Sequence, residues 1–267
     1  MINVENKRSS LAWIEAGEGE PILFLHAYPF NASMWEPQLA SLPPGWRGIA
    51  VDMPGFGSSP GMPTTLDAYA DELVGLLDHL ELERAALCGL SMGGYAALSF
   101  VRRHPGRVRA LVLCDTRATA DSPEAKAGRQ AQAKRLPQDG MGPTIDTMLP
   151  RLITRANRIN QPQLRTRVEE MMKSTAPEAA AHALLAIANR PDSTDMLRDI
   201  VAPTLVIVGA EDEITPAGDA QTMARAIRGA RLEVIRDAGH LSNMEQPALF
   251  NSALRSFLTF LPPPPLL

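Results

Sequence analysis

The sequence predicts an α/β fold, a mostly parallel sheet covered on both faces by helices. Three observations carry that expectation. Short apolar runs recur at 11–15, 21–25, 48–51, 85–88, 109–114, 204–208 and 231–235. Amphipathic stretches sit between them. The stretch 66–80 has apolar residues at 66, 69, 70, 73, 74, 76, 77 and 80, close to a 3.6-residue period. One run passes directly into a helical pattern through Gly89-Leu90-Ser91-Met92-Gly93. Strands alternating with helices form parallel sheets buried on both faces.

Taken in order, residues 1–10 are polar and mixed, with no apolar signal region. The runs at 11–15, 21–25 and 48–51 open the sheet, and 66–80 is the first long helix. The run 85–88 leads to Ser91, with a helix over 95–103 beyond it. The alternation stops after 109–114. From 118 to 200 no strand is convincing, and Pro123, Pro137, Pro143, Pro150, Pro162, Pro177 and Pro191 punctuate a segment rich in Ala, Arg, Gln, Met and Glu. This reads as several short helices inserted between two strands. An insertion there lies over the carboxyl ends of the strands, where open α/β sheets bind ligands. Residues 1–117 and 201–267 are therefore expected to form the core domain, and 118–200 a helical cap. The runs at 204–208 and 231–235 and helices over 218–227 and 247–260 complete the domain. The prolines at 262–265 read as a helix stop and a mobile tail.

Bulk properties narrow the class. The 267 residues suffice for one α/β domain with an insertion, at 45% hydrophobic and 21% charged content and a net charge of −4. No basic stripe suggests nucleic acid as a partner. Apolar stretches are strand-length, far short of a membrane span. Cys88 and Cys114 each end an expected strand and read as buried free thiols, consistent with a cytoplasmic protein. A monomer or homodimer is expected, and no metal or organic cofactor.

A G-x-S-x-G between a strand and a helix is a nucleophile elbow. The chain reverses at Ser91, and a glycine two residues to either side makes room for the tight crossing. A serine hydroxyl is a poor nucleophile alone and needs a base oriented by an acid. Of five histidines, His79 sits among Asp78, Glu81 and Glu83, His104 suits a helix C-terminus, and His182 lies in the cap with a surface role. His26 follows a strand. His240 lies in a loop after the last strand, within reach of the elbow, and is the expected base. The acid is expected between serine and histidine in chain order. Asp212, just past the strand at 204–208, fits best; Glu211 and Glu213 beside it and Asp115 one strand earlier are alternatives. Two backbone N–H groups should hold the oxyanion: that of Met92, after the nucleophile, and that of Tyr28, whose angles Pro29 restricts. Ala27 is the alternative donor.

With those residues in view, the chain resembles the α/β-hydrolase superfamily nearly end to end. The matching pieces are His26-Ala27-Tyr28-Pro29 with Trp35 behind it, Asp52-Met53-Pro54-Gly55-Phe56-Gly57-Ser58, the Ser91 elbow with Gly94, Gly209 to Asp212 with Pro216, and Gly239-His240. The resemblance implies an eight-stranded sheet, a triad of Ser91, Asp212 and His240, an oxyanion hole from Tyr28 and Met92, and a structural role for the 52–58 loop. Within the superfamily, the elbow and His240-Leu241-Ser242-Asn243-Met244-Glu245-Gln246-Pro247 are similar to the enol-lactonase branch and its esterase relatives. A methionine after the serine is shared with the cofactor-free haloperoxidase or perhydrolase branch. Many members have His-Gly where this chain has His26-Ala27.

The expected activity is cleavage of a small carboxylic ester through an acyl-enzyme, with a 3-oxoadipate enol-lactonase-like or perhydrolase-type reaction as alternatives. A ligand-binding role on the same scaffold is the reading from another class. The cap arginines, Arg151, Arg155, Arg158, Arg165, Arg167 and Arg190, would suit a dianionic lactone product if aimed inward but read as solvated faces. Met141, Met148, Met171, Met172 and Met196 read as packing between cap helices.

Overall fold

The computed structural model describes residues 11–261. Seven strands, β1 (Trp13–Gly17), β2 (Glu20–Leu25), β3 (Trp46–Val51), β4 (Ala85–Leu90), β5 (Val108–Cys114), β6 (Thr204–Gly209) and β7 (Arg231–Ile235), form one sheet in the order β1-β3-β2-β4-β5-β6-β7. Among the described residues only the β1–β3 pair is antiparallel. The expected eighth strand is not among the described residues. Each apolar run read from the sequence has become a strand, and residues 1–10, which carry no such run, lie outside the described residues. Every residue of β4 and β6 is buried, as strands covered on both faces require, whereas edge strand β7 is mostly exposed.

Among the described residues eleven α-helices accompany the sheet: α1 (Glu36–Leu39), α2 (Leu66–His79), α3 (Met92–Arg103), α4 (Pro123–Asp139), α5 (Gly142–Leu152), α6 (Arg155–Asn160), α7 (Pro162–Lys173), α8 (Pro177–Ala188), α9 (Ala217–Ala226), α10 (Ser242–Glu245) and α11 (Pro247–Thr259). The Thr65 side chain caps α2 by accepting from the Ala68 N–H, and the apolar face buries Leu66, Tyr69, Ala70, Leu73, Leu76 and Leu77. α3 packs on β2, β4 and β5 and against α2. Five helices, α4 to α8, fill the interval between β5 and β6, as the proline pattern predicts. Pro123, Pro162 and Pro177 open α4, α7 and α8, where the missing N–H costs nothing. Pro137 and Pro150 instead fall inside α4 and α5, near their ends. α11 ends at Thr259; the proline run after it lies outside the described residues.

Two boundaries near Ser91 differ from expectation. β4 extends to Leu90 and α3 begins at Met92, so Gly93 and Gly94 lie within the helix. Those glycines serve contact. A Cβ on Gly93 would lie 2.1 Å from the Leu25 carbonyl oxygen of β2, and one on Gly94 would lie 2.5 Å from Thr116 Oγ1. A Cβ on Gly89 would strike the Gly93 oxygen at 2.2 Å. The crossing is therefore a backbone-on-backbone contact that only glycine permits.

Cys88 and Cys114, on adjacent strands, are both buried free thiols with their sulfurs 3.8 Å apart. Among the described residues no helix is long and apolar enough to cross a membrane.

Gly93→Ala is expected to destabilise the fold by about 3 kcal/mol or more, because the clash is with backbone. Gly128→Ala in α4, where nothing lies within 4 Å of the new methyl, should stabilise by about 0.5–1 kcal/mol. Thermal melts of the two variants check the pair; equal melting temperatures would refute the packing argument.

Candidate active site

The strand-to-helix reversal leaves Ser91 with φ 53° and ψ −111°, a conformation non-glycine residues rarely adopt. Three hydrogen bonds hold it there. The Ser91 N–H donates to the Cys114 carbonyl at 3.0 Å, and its own carbonyl accepts from Thr116 Oγ1 at 2.9 Å and from the Tyr95 N–H at 3.1 Å. The side chain projects beyond the carboxyl end of β4.

Two loops meet it there. The β7–α10 loop brings His240, whose Nε2 lies 2.9 Å from Ser91 Oγ. The β6–α9 loop brings Asp212, whose Oδ2 lies 2.8 Å from His240 Nδ1. With the carboxylate on Nδ1, the ring proton sits there and Nε2 is free to accept from the serine hydroxyl. The loops are registered by the Ala210 N–H on the Ile235 carbonyl and the Glu211 N–H on the Ala238 carbonyl. A Cβ on Gly209 would meet the Gly239 oxygen at 2.0 Å, so glycine is required at that approach too.

Thr215, which sequence reasoning missed, completes the Asp212 environment. Its hydroxyl donates to Asp212 Oδ2 at 2.7 Å, while the N–H groups of Ile214 and Thr215 donate to Oδ1 at 2.8 and 3.0 Å. Burial pushes the Asp212 carboxyl up, but the His240 charge and these hydrogen bonds outweigh it and hold the group below its ordinary range. The aspartate is thus ionised, with its acceptor sites filled. The signal for Thr215 was its position three residues after the acid, an ordinary Asx-type turn with no chemistry of its own.

Asp115, the alternative acid, is brought near but not to the histidine. It is fully buried at φ 44°, accepting from the Gly209 N–H at 2.7 Å and from Ser242 Oγ. Burial, reinforced by the Asp212 charge, pushes its carboxyl well up, and its two hydrogen bonds make it a strut between β5, β6 and α10. Glu211 and Glu213 are exposed. His104 pairs with Asp71 at 3.0 Å, His182 bonds the Glu178 carbonyl of its own helix at 2.8 Å, and His79 packs by Trp13.

The Tyr28 N–H has no acceptor among the described residues, and Met92 is the first residue of α3, where no preceding helical carbonyl is in reach. The Ala27 N–H is directed at Met34 Sδ, 3.4 Å away, which removes it as the alternative donor. Ala27 keeps a negative φ, so alanine fits there without strain. The Tyr28 ring is buried, and its hydroxyl has no partner among the described residues. Burial pushes the phenol up, with the Arg129 charge of α4 opposing.

His26 turns out to be architectural. Its Nδ1–H donates to the Ala27 carbonyl at 2.9 Å, and its Nε2 accepts from the Met53 N–H at 3.0 Å, joining the Tyr28 loop to the 52–58 loop. Asp52 fixes that second loop by accepting from the N–H groups of Ala32 and Ser58. Of the arginines expected to be solvated, Arg190 is buried instead. It pairs with Asp121 at 2.9 Å and lies over the Tyr95 ring at 4.3 Å. Arg167 reaches the Ser33 carbonyl and Glu36, while Arg155 and Arg165 are exposed. Met141, Met171 and Met172 are buried in the helical core, as expected.

Burial lowers the His26 pKa from 6.5 to about 4, against the opposing Ala27 hydrogen bond and Asp52 charge. The folded value lies below the unfolded one, so this group's contribution to stability is complete above pH 6.5 and is lost as pH falls towards 4. The full difference is about 3 kcal/mol. The His26 ring resonances should therefore stay those of the neutral, Nδ1-protonated form from pH 8 to pH 5 in an NMR titration. Protonation near pH 6.5 would refute the buried pairing.

Residues 20–247 match the family described as the alpha/beta hydrolase fold. The chain is 31% identical over 239 residues to 3-oxoadipate enol-lactonase 2 of Acinetobacter baylyi, covering 89% of this chain and 88% of that one. A thermophilic esterase from Thermogutta terrifontis superposes with a TM-score of 0.91 at 42% identity, over 93% of both chains. The enol-lactonase from Burkholderia xenovorans superposes with a TM-score of 0.87 at 31% identity, over 93% of this chain and 96% of that one. A family match spanning most of the chain, on a sheet and elbow of this form, makes this protein a member of the α/β-hydrolase family.

Proposed function

We propose that the protein is a serine carboxylesterase acting on small esters. The observation that carries this reading is His240 bridging Ser91 at 2.9 Å and Asp212 at 2.8 Å. Ser91 Oγ attacks the ester carbonyl carbon while His240 Nε2 takes its proton. The N–H groups of Tyr28 and Met92 receive the negative oxygen, each such donor being worth about 3 kcal/mol of barrier. The tetrahedral intermediate collapses, the carbon–oxygen bond to the alcohol breaks, and His240 gives the proton to the departing oxygen. Water then attacks the acyl-enzyme, His240 takes a proton from it, and the second collapse releases the acid and returns the proton to Ser91. Asp212 holds the ring tautomer and stabilises the imidazolium formed twice per cycle.

Residues 118–200 act as the cap in this reading, and the space beneath them sets the size of acyl group. The 42% identity to a protein named an esterase supports the general reading. A second reading, enol-lactone hydrolysis, is supported by relatives of that name. The steps are the same, except that the leaving oxygen stays tethered to the acyl group. The buried thiols fit action in the reducing cytoplasm.

Initial rates on p-nitrophenyl esters from acetate to octanoate, with Ser91→Ala in parallel, test this reading. Turnover should fall by about 10⁴-fold or more in the variant. Wild type no faster than the variant would overturn the general esterase and leave the lactone. Thr215→Val should lower kcat about tenfold by loosening Asp212.

A further inference from the structure

The β7–α10 loop that carries His240 is tied on both sides of that residue to the helical segment over the site. Glu245 is 2% exposed, and its carboxylate accepts from three N–H groups. Its Oε1 accepts from the Gly239 N–H at 2.7 Å. Its Oε2 accepts from the Thr154 N–H at 2.9 Å and from Asn157 Nδ2 at 2.8 Å. Asn157, 7% exposed on α6, also donates to the Asp237 carbonyl at 2.8 Å. On the other side of His240, the Leu241 N–H donates to the Leu152 carbonyl at the end of α5, at 3.2 Å. Gln161 closes the set, its amide donating to Asn157 Oδ1 at 2.9 Å and to the Glu245 carbonyl at 3.4 Å.

The Leu241 N–H is therefore held by Leu152 directly, and the Gly239 N–H through Glu245 by Thr154 and Asn157, residues more than eighty positions away in the chain. Asp212 and Ser91 are held by other means, through Thr215, Cys114 and Thr116. Apart from Arg151 of α5, which donates to the Glu213 carbonyl at 3.3 Å, the ties from α5 and α6 reach the His240 loop, so displacing α5 and α6 relative to the sheet would act chiefly on the imidazole. We propose that Glu245 and Asn157 are positioning residues, a clamp through which the cap sets the alignment of His240 between Asp212 and Ser91. This rests on the esterase reading for its kinetic consequence. It gives the cap a second role beside shaping the pocket. Substrate that seats the cap also seats the base, and cap contacts act on kcat as well as on KM.

The test is Asn157→Ala, which removes the link to Asp237 and one of the two Oε2 donors yet leaves Thr154 on Glu245. Kinetics on p-nitrophenyl acetate are run beside NMR of ¹⁵N-histidine-labelled protein. A clamp predicts a kcat loss of about tenfold with KM within about twofold, because a fraction of an ångström at the base costs that much. It also predicts displaced His240 imidazole resonances. Glu245→Gln, which turns an amide NH₂ towards N–H donors, should give the same pattern. Adding Asn157→Ala to it should cost much less than the product of the two single losses. Unmoved His240 resonances in Asn157→Ala, or an effect confined to KM, would overturn the clamp. An inactive wild type would overturn the esterase reading alone, and the resonances would still decide the clamp.

Discussion

The site depends on the close crossing of β4, β2 and the start of α3. There the backbone of Gly93 lies against the Leu25 carbonyl and that of Gly89 lies against Gly93. This contact forces Ser91 to φ 53° and raises its side chain above the sheet. The strain is carried by surrounding hydrogen bonds from β5 and the segment just after it, namely Cys114 and Thr116. The same arrangement recurs at Gly209, where β6 meets the β7–α10 loop. Backbone contacts too close for any Cβ thus position the serine and register the loops of Asp212 and His240.

Three buried carboxylates below the site show how environment assigns different states to one chemical group. Asp212 faces His240 and three donors and is ionised. Asp115 has two donors, no cation and a neighbouring charge, and its carboxyl is pushed well up. Burial pushes the Glu245 carboxyl up, and the N–H groups of the 152–157 segment and of Gly239 oppose that shift. Each state matches what the group does. In the proposed reaction the Asp212 charge stabilises an imidazolium, whereas Asp115 ties β5 to β6 and α10, and Glu245 is an acceptor that joins two parts of the chain. His26 follows the same logic, buried and neutral so that it can accept from Met53.

Much of this was legible in the sequence because the signals were local. Seven apolar runs became seven strands, and a glycine pair around a serine marked the elbow. The loops after β6 and β7 offered one well-placed aspartate and one histidine. What escaped was non-local. Nothing near Asp115 says that burial beside Asp212 will push its carboxyl up, or that Gly209 and Ser242 will be its partners. Nothing near Arg190 says that Asp121 and Tyr95 will enclose it. Glu245 lay within a recognisable motif, but its partners Thr154 and Asn157 come from the segment whose pattern was hardest to read. The start of α3 lies three residues before the helical pattern becomes visible, because Gly93 and Gly94 look like breakers. Their local cost is offset by packing on β2 and Thr116.

The central claim is that Ser91 is a nucleophile activated by His240. Incubation with a p-nitrophenyl phosphonate, followed by intact-protein and peptide mass spectrometry, tests it most directly. The account predicts one covalent adduct per chain, located on Ser91 and formed far more slowly in His240→Ala. An adduct on another residue, or an unmodified Ser91 in folded wild-type protein, would contradict it.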